Sequence, residues 1–207
     1  MLESIFKYFP LLSHDQQEKL SGLKEIYDRW NSMINVISRN DMDNFYVHHV
    51  LHSLSIAKVI NFIPGTTILD VGTGGGFPGI PLAILFPDSE FTLLDSIEKK
   101  IKVVSAVSDE LGLKNVIPVR KRIEEEPRKF QFIISRAVTG FPDFVKLTAK
   151  NISRNGTNKF ENGILYLKGG DLTHELSQFR NNTKVWLIKD FFNESFFETK
   201  VIVYLPV

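Results

Sequence analysis

Ile68-Leu69-Asp70-Val71-Gly72-Thr73-Gly74-Gly75-Gly76-Phe77-Pro78-Gly79 decides the fold of this chain. Four strand-forming positions, one of them acidic, run straight into glycines. Glycine takes positive φ without steric cost and lets a ligand approach a backbone that carries no Cβ. A strand that ends in such a loop and then opens a helix is how an open α/β sheet holds an adenosine-type cofactor. The residues around the loop say which cofactor. Gly74-x-Gly76-x-x-Gly79 matches the dinucleotide fingerprint literally, a weak signal by itself. Pro78 removes one N–H from a loop that would have to cradle phosphate. Asp70, two residues before the first glycine, repels a pyrophosphate yet suits a cationic, amino-bearing ligand. S-adenosylmethionine is such a ligand, with a sulfonium, an α-amino group and no phosphate.

Outward from the loop the chain reads in two parts. Residues 1–62 read as a helical extension. Ser13-His14-Asp15-Gln16 resembles a capping box, and Leu20, Leu23, Ile26, Tyr27, Trp30 and Ile34 follow at helical spacing. Asp41 can cap a short second helix, and Val50, Leu51, Leu54, Ala57 and Ile60 give residues 48–60 one apolar face. Pro64-Gly65 breaks the pattern. Residues 63–207 then alternate. Strands are expected at 67–71, 91–95, 115–119, 130–135, 163–168, 183–190 and 198–204. Helices are expected at 79–86, 97–111, 141–151 and 171–179. This rhythm predicts an α/β, Rossmann-like, seven-stranded sheet, mostly parallel and covered on both faces. No helix separates the last two strands, so they should close the sheet as an antiparallel hairpin. The polar segment 153–162 is the expected flexible insertion.

Composition narrows the function classes. Hydrophobic residues are 43% and charged residues 24%, as in a soluble globular chain. The net charge is +1, so a nucleic-acid partner has to be met by a local patch. There is no cysteine, which removes disulfides, thiolate metal sites and thiol nucleophiles together. Glu3 and Lys7 interrupt the first apolar stretch, so no signal peptide is expected, and no apolar run approaches membrane-spanning length. A cytoplasmic location follows as the expectation.

Four further features carry chemistry. Asp95 ends the second strand roughly twenty residues past Gly74, where a carboxylate accepts from ribose hydroxyls; the bland alternative is a cap on the next helix. Arg120-Lys121-Arg122-Ile123-Glu124-Glu125-Glu126 follows the third strand. It reads equally well as an adenine site at Ile123 and Glu124 or as a solvated mixed-charge run. Arg136 ends the fourth strand in Ile133-Ile134-Ser135-Arg136-Ala137, at the sheet edge where open α/β sheets place their crevice. Its guanidinium fork suits a phosphate or a cofactor carboxylate, or a structural ion pair with Asp70 or Asp95. Lys99, Lys100, Lys102, Arg120, Lys121, Arg122, Arg128 and Lys129 form a candidate basic surface, interrupted by glutamates. His48, His49 and His52 lack the glutamate and carboxylate set of a metal site, so capping or surface roles are expected and no metal.

These residues together resemble a family. Asp70 to Ala83, with Gly-Phe-Pro-Gly-Ile-Pro inside it, is similar to the signature of the bacterial 16S rRNA guanine-N7 methyltransferases, formerly called glucose-inhibited division protein B. Trp30-Asn31-x-x-Ile34-Asn35-Val36-Ile37-Ser38-Arg39, Phe91-Thr92-Leu93-Leu94-Asp95-Ser96 with Lys99-Lys100, Ile134-Ser135-Arg136-Ala137 and Tyr166-Leu167-Lys168-Gly169 agree in order and spacing. The resemblance implies S-adenosyl-L-methionine as cofactor and a guanosine of 16S rRNA, in the small ribosomal subunit near the decoding centre, as acceptor. It implies cofactor contacts at Gly72, Phe77, Ile123, Glu124 and Arg136, beside Asp70, Gly74 and Asp95 from the loop and strand readings. One departure stands out. Many members carry His-x-x-Asp-Ser before the first strand, whereas this chain has His49-Val50-Leu51-His52-Ser53.

The chemistry fits the inventory. Guanine N7 carries a free lone pair and needs no deprotonation, so catalysis is mainly positioning. Arg136 is the candidate catalytic residue. Pyrimidine C5 methylation would need a cysteine, and amine methylation usually uses an Asn/Asp-Pro-Pro-aromatic segment where this chain has Ser135-Arg136-Ala137-Val138. N7 is poorly reachable inside A-form RNA, so the target should be unstacked. The competing readings are an NAD-dependent oxidoreductase, a non-catalytic RNA-binding module and a small-molecule methyltransferase of the same fold. A monomer is the expected state.

Overall fold

The strand that carries the glycine loop lies near the middle of the sheet. A computed structural model describes residues 2–136 and 138–207, the side chain of Arg39 excepted, so Ala137 of the quoted strand-end segment lies outside the described residues. Seven strands form one sheet: β1 (Thr67–Val71), β2 (Glu90–Asp95), β3 (Val116–Arg120), β4 (Phe132–Arg136), β5 (Gly163–Gly169), β6 (Lys184–Leu187) and β7 (Lys200–Pro206). Their spatial order is β3-β2-β1-β4-β5-β7-β6. The first five run parallel, while β7 pairs antiparallel with both β5 and β6. The expected closing hairpin is therefore present, and its second strand sits inside its first.

The chain builds outward from β1 through β2 to β3, then jumps back to β4 on the other side of β1. That reversal parts the loops after β1 and β4 and opens a crevice at their carboxyl ends. Alternation decides what each face receives. Ile68 and Phe132 point into one apolar cluster, and Leu69, Val71 and Ile133 into the other. Asp70, in phase with Ile68, turns toward the first.

Helices cover both faces. α4 (Gly79–Leu85) and α5 (Glu98–Glu110) lie against the first, together with α1 (Leu2–Tyr8), α2 (His14–Met33) and α3 (His52–Leu54). Leu20, Leu23, Tyr27, Phe45, Leu51 and Leu54 of the N-terminal segment share one core with Ile68, Leu93 and Ile134 of the sheet. α6 (Phe141–Thr148) covers the other face with Phe141 and Phe144. The capping box at Ser13 and Gln16 forms as expected.

Several local expectations are corrected. Residues 48–60 do not form one α-helix: a π-helical turn over Tyr46–Leu51 leads into α3 and a 3-10 turn over Ser55–Lys58. Asp41 caps nothing, because it lies within the 3-10 turn Arg39–Asn44 and its carboxylate is taken by His48 and His49. The helix expected at 171–179 reduces to a 3-10 turn at Ser177–Phe179. There the carboxylate of Asp171 accepts from Thr173 N and Oγ1, and that of Glu175 from Phe141 N and Lys168 Nζ, so side chains compete with the helical ladder. The strand expected to reach residue 190 stops at Leu187 and gives way to a 3-10 turn. The polar segment 153–162 is tied down: Asn162 Nδ2 donates to Ser153 O and Asn155 O, and Asn158 Nδ2 to Thr66 Oγ1.

Candidate functional site

The glycine loop is held from below by one carboxylate. Asp70 Oδ2 accepts from Thr73 Oγ1 at 2.6 Å and from the Gly79 N–H at 2.8 Å, so it ties the end of β1 to the start of α4. Gly79 has to be glycine here, since a Cβ would stand 2.8 Å from that same oxygen and 2.7 Å from Leu93 Cγ. Gly72 has φ 68°, and a Cβ on it would meet Val138 Cγ2 at 2.6 Å. Burial raises the Asp70 carboxyl to about 7, against the pull of its Thr73 and Gly79 hydrogen bonds. From outside the sheet, Tyr27 of α2 donates its hydroxyl to Gly75 O at 2.5 Å.

The loop has almost no amide left for an anion. The N–H groups of Gly72 and Thr73 go to Leu94 O, that of Gly74 to Asp95 Oδ2, and those of Gly76 and Phe77 to Thr73 O. Pro78 has none and Gly79 serves Asp70. A pyrophosphate needs several such donors converging on it. The literal dinucleotide match therefore lacks the cradle that would give it meaning, whereas a phosphate-free cationic cofactor loses nothing by it.

Above the loop lies a cleft of about 520 Å³. Gly72, Gly74, Phe77, Asp95, Ile123, Glu124 and Arg136 all line it, so seven residues expected from four separate segments converge on one cavity. Asp70 does not line it; its place is under the loop. Asp95 is engaged by the backbone on both of its oxygens. Its Oδ1 accepts from Ile97 N at 2.9 Å, in the manner of a helix cap, and its Oδ2 accepts from Gly74 N at 3.0 Å with Lys100 Nζ at 3.6 Å. Ile123 is nearly buried and offers an apolar edge beside Glu124. Residues that sequence reasoning passed over also line the cleft: Val36 from the N-terminal segment, Thr73, Ser96, Ile97, Lys121 and Val138. Only Val36 comes from a distant part of the chain; it lies in the Trp30–Arg39 segment that resembles the family, but nothing there marked it as a cleft residue.

Arg136 closes the far end. Its guanidinium lies 5.4 Å from the Phe77 ring centre, donates to His48 O at 3.1 Å and meets His49 Nδ1 at 3.1 Å. It pairs directly with neither Asp70 nor Asp95. A guanidinium only donates, so His49 Nδ1 is the acceptor and Nε2 carries the ring proton. That proton goes to Asp41 Oδ2 at 2.5 Å. Burial, helped by the charge of Arg136, pulls the His49 pKa down to about 4, with Asp41 opposing. The expectation that the three histidines cap or sit on the surface is thus corrected: His49 and His52 are buried and His48 is partly so. Among the described residues no group of three or more His, Asp or Glu side chains is placed to hold a metal.

The basic surface is partly neutralised. Arg120 and Lys102 pair with Glu98, and Lys121 and Arg128 with Glu126. No helix among the described residues is long and apolar enough to cross a membrane.

Comparison with known proteins agrees with this geometry. The family described as rRNA small subunit methyltransferase G matches residues 16–201. Proteins named ribosomal RNA small subunit methyltransferase G from Flavobacterium johnsoniae and Christiangramia forsetii are 54% and 53% identical. Both alignments cover 100% of this chain, and 98% and 97% of the respective relatives. Among solved structures, a SAM dependent methyltransferase from Aquifex aeolicus superposes with a TM-score of 0.57 at 15% identity, covering 82% of this chain and 98% of that one. An rRNA methylase from Streptococcus thermophilus gives 0.50 at 10% identity, covering 76% and 95%. At those identities the structures share the fold.

Proposed function

This chain belongs to the rRNA small subunit methyltransferase G family, and on that premise we propose that it moves the methyl group of S-adenosylmethionine to N7 of one guanosine of 16S rRNA near the decoding centre. The observation that carries the proposal is the cleft at the sheet reversal, whose loop amides are spent internally while Asp95, Glu124 and Arg136 remain around it. When bound, the cofactor supplies an electrophilic sulfonium methyl.

The residues divide the work. Asp95 accepts from the ribose hydroxyls with the lone pairs left by Gly74 and Ile97. Ile123 packs against the adenine ring and Glu124 lies at its edge. Gly72 and Gly74 leave room for close approach to the backbone, and Phe77 with Arg136 bounds the end where the methyl is presented. Asp70 acts indirectly by fixing the loop. No side chain has to take a proton from N7, so the protein's contribution is orientation and exclusion of water. Arg136, already fixed by His48 and His49, holds the boundary between donor and acceptor. We read the enzyme as a cytoplasmic monomer acting on the small ribosomal subunit or its rRNA.

The test has two arms. S-adenosylhomocysteine should raise the melting temperature and NADH should not. Methyl-labelled cofactor should deliver its label to small subunits isolated from cells lacking the modification. Stabilisation by NADH alone, or no transfer to subunit RNA, would overturn the proposal.

A further inference from the structure

Arg136 lines a second cavity, of about 240 Å³, as well as the cofactor cleft. The cavity sits at the same edge of the sheet, between the ends of β4 and β5, where Lys168 and Gly169 lie, and the start of β7, where Lys200 lies. His52 forms part of its wall. No step described so far uses this space.

His52 is the anomaly there. Its side chain is 5% exposed, and among the described residues its Nε2 has no hydrogen-bond partner. The His48 carbonyl is the ring's other polar neighbour. We assign the ring proton to Nδ1, toward that carbonyl, which leaves Nε2 as a bare lone pair. Burial, with the charges of Arg136 and Lys200, keeps the ring neutral. A buried acceptor without a donor is costly, which points to a donor that arrives with a ligand.

The rest of the wall defines that ligand. Lys200 Nζ lies 4.9 Å from the Phe196 ring centre and brings a cationic donor. Lys168 is already committed to Glu175 and Thr139 O. Asp41 also lines the wall, with its carboxylate held by His48 and His49. His48 stacks on Phe196 with ring centres 3.9 Å apart and planes at 18°, a platform of the kind on which unstacked bases lie. The ligand is therefore flat, with an acceptor next to N–H donors. Guanine has this pattern in O6, N1–H and N2–H₂. Adenine reverses it, with an amino donor beside a bare ring nitrogen. In guanine, N7 lies on the other flank of O6. A base that gives O6 to Lys200 and its N–H edge to His52 thus leaves N7 free.

We propose that this cavity is the acceptor pocket, that it receives one unstacked guanine, and that His52 and Lys200 select guanine over adenine. The proposal rests on the methyltransferase reading above. An aspartate at position 52 would likewise accept from the guanine N–H edge.

The experiment measures methylation of unmodified small subunits and, separately, S-adenosylhomocysteine affinity and melting temperature. His52→Phe keeps the ring shape and removes the acceptor; Lys200→Met removes the donor at the pocket rim. Each should lower kcat/KM for subunits about 10-fold or more while S-adenosylhomocysteine affinity stays within about twofold. His52→Asp should recover most of the loss. If both single variants methylate within about twofold of wild type, or if His52→Asp is as impaired as His52→Phe, the pocket assignment is wrong. If wild-type protein itself transfers no label, the methyltransferase reading fails and the pocket falls with it.

Discussion

Single atoms decide the behaviour of the loop. Gly79→Ala sets a Cβ against Asp70 Oδ2 and Leu93, so it should cost about 1–3 kcal/mol in denaturant unfolding and weaken cofactor binding with it. Asp95→Ala removes the acceptor for Gly74 and Ile97 as well as the ribose partner, and should lower S-adenosylhomocysteine affinity about 10-fold or more by calorimetry. His49 gives a pH prediction. Its folded pKa, about 4, lies below the ordinary histidine value of 6.5. Stability from keeping this ring neutral is complete above pH 6.5 and is lost as pH falls toward 4. Asp70, raised to about 7, acts in the opposite sense over much of that range, so the comparison is between wild type and His49→Gln. The variant should lose less stability between those limits, and NMR should place the wild-type His49 midpoint near 4. A midpoint near 6.5 would contradict the Arg136–His49–Asp41 arrangement.

At the scale of elements, the N-terminal helices are part of the site. α2 reaches the glycine loop through one hydroxyl. Tyr27→Phe leaves Gly75 O without its partner and should cost about 1–2 kcal/mol while weakening S-adenosylhomocysteine binding, measured by thermal shift and calorimetry on the same protein. The strand-loop-helix unit from β1 to α4 was readable because its signals are local: strand residues, then glycines, then a helix. The segments after β2, β3 and β4 were readable because parallel α/β topology brings strand ends to one edge. Asp70 shows where this fails. A carboxylate before a glycine loop reads as ligand-facing, yet alternation along β1 turns it inward to hold Thr73 and Gly79. The turn at 171–177 shows a second failure, because Glu175 is drawn to Lys168 and Phe141, partners that only the tertiary fold supplies.

Across the whole molecule, one core joins residues 1–62 to the sheet. Leu20, Leu23, Tyr27 and Leu54 are fully buried among sheet and α4 residues. Unfolding should therefore be a single transition by near- and far-ultraviolet circular dichroism, and a fragment of residues 63–207 should not hold a native near-ultraviolet spectrum. Separate transitions would mean that the N-terminal helices are only an attachment. The histidine cluster illustrates what the sequence concealed at this scale. His48, His49 and His52 lie within one short segment, but their meaning comes from Arg136, Lys200 and Phe196, which the fold delivers from far along the chain. The central claim is that the chain methylates guanine N7 in 16S rRNA. Borohydride and aniline cleave RNA at N7-methylguanosine, so the decisive measurement compares 16S rRNA from cells with and without this protein. The account predicts cleavage at one guanosine near the decoding centre in the first and none there in the second; identical cleavage patterns would contradict it.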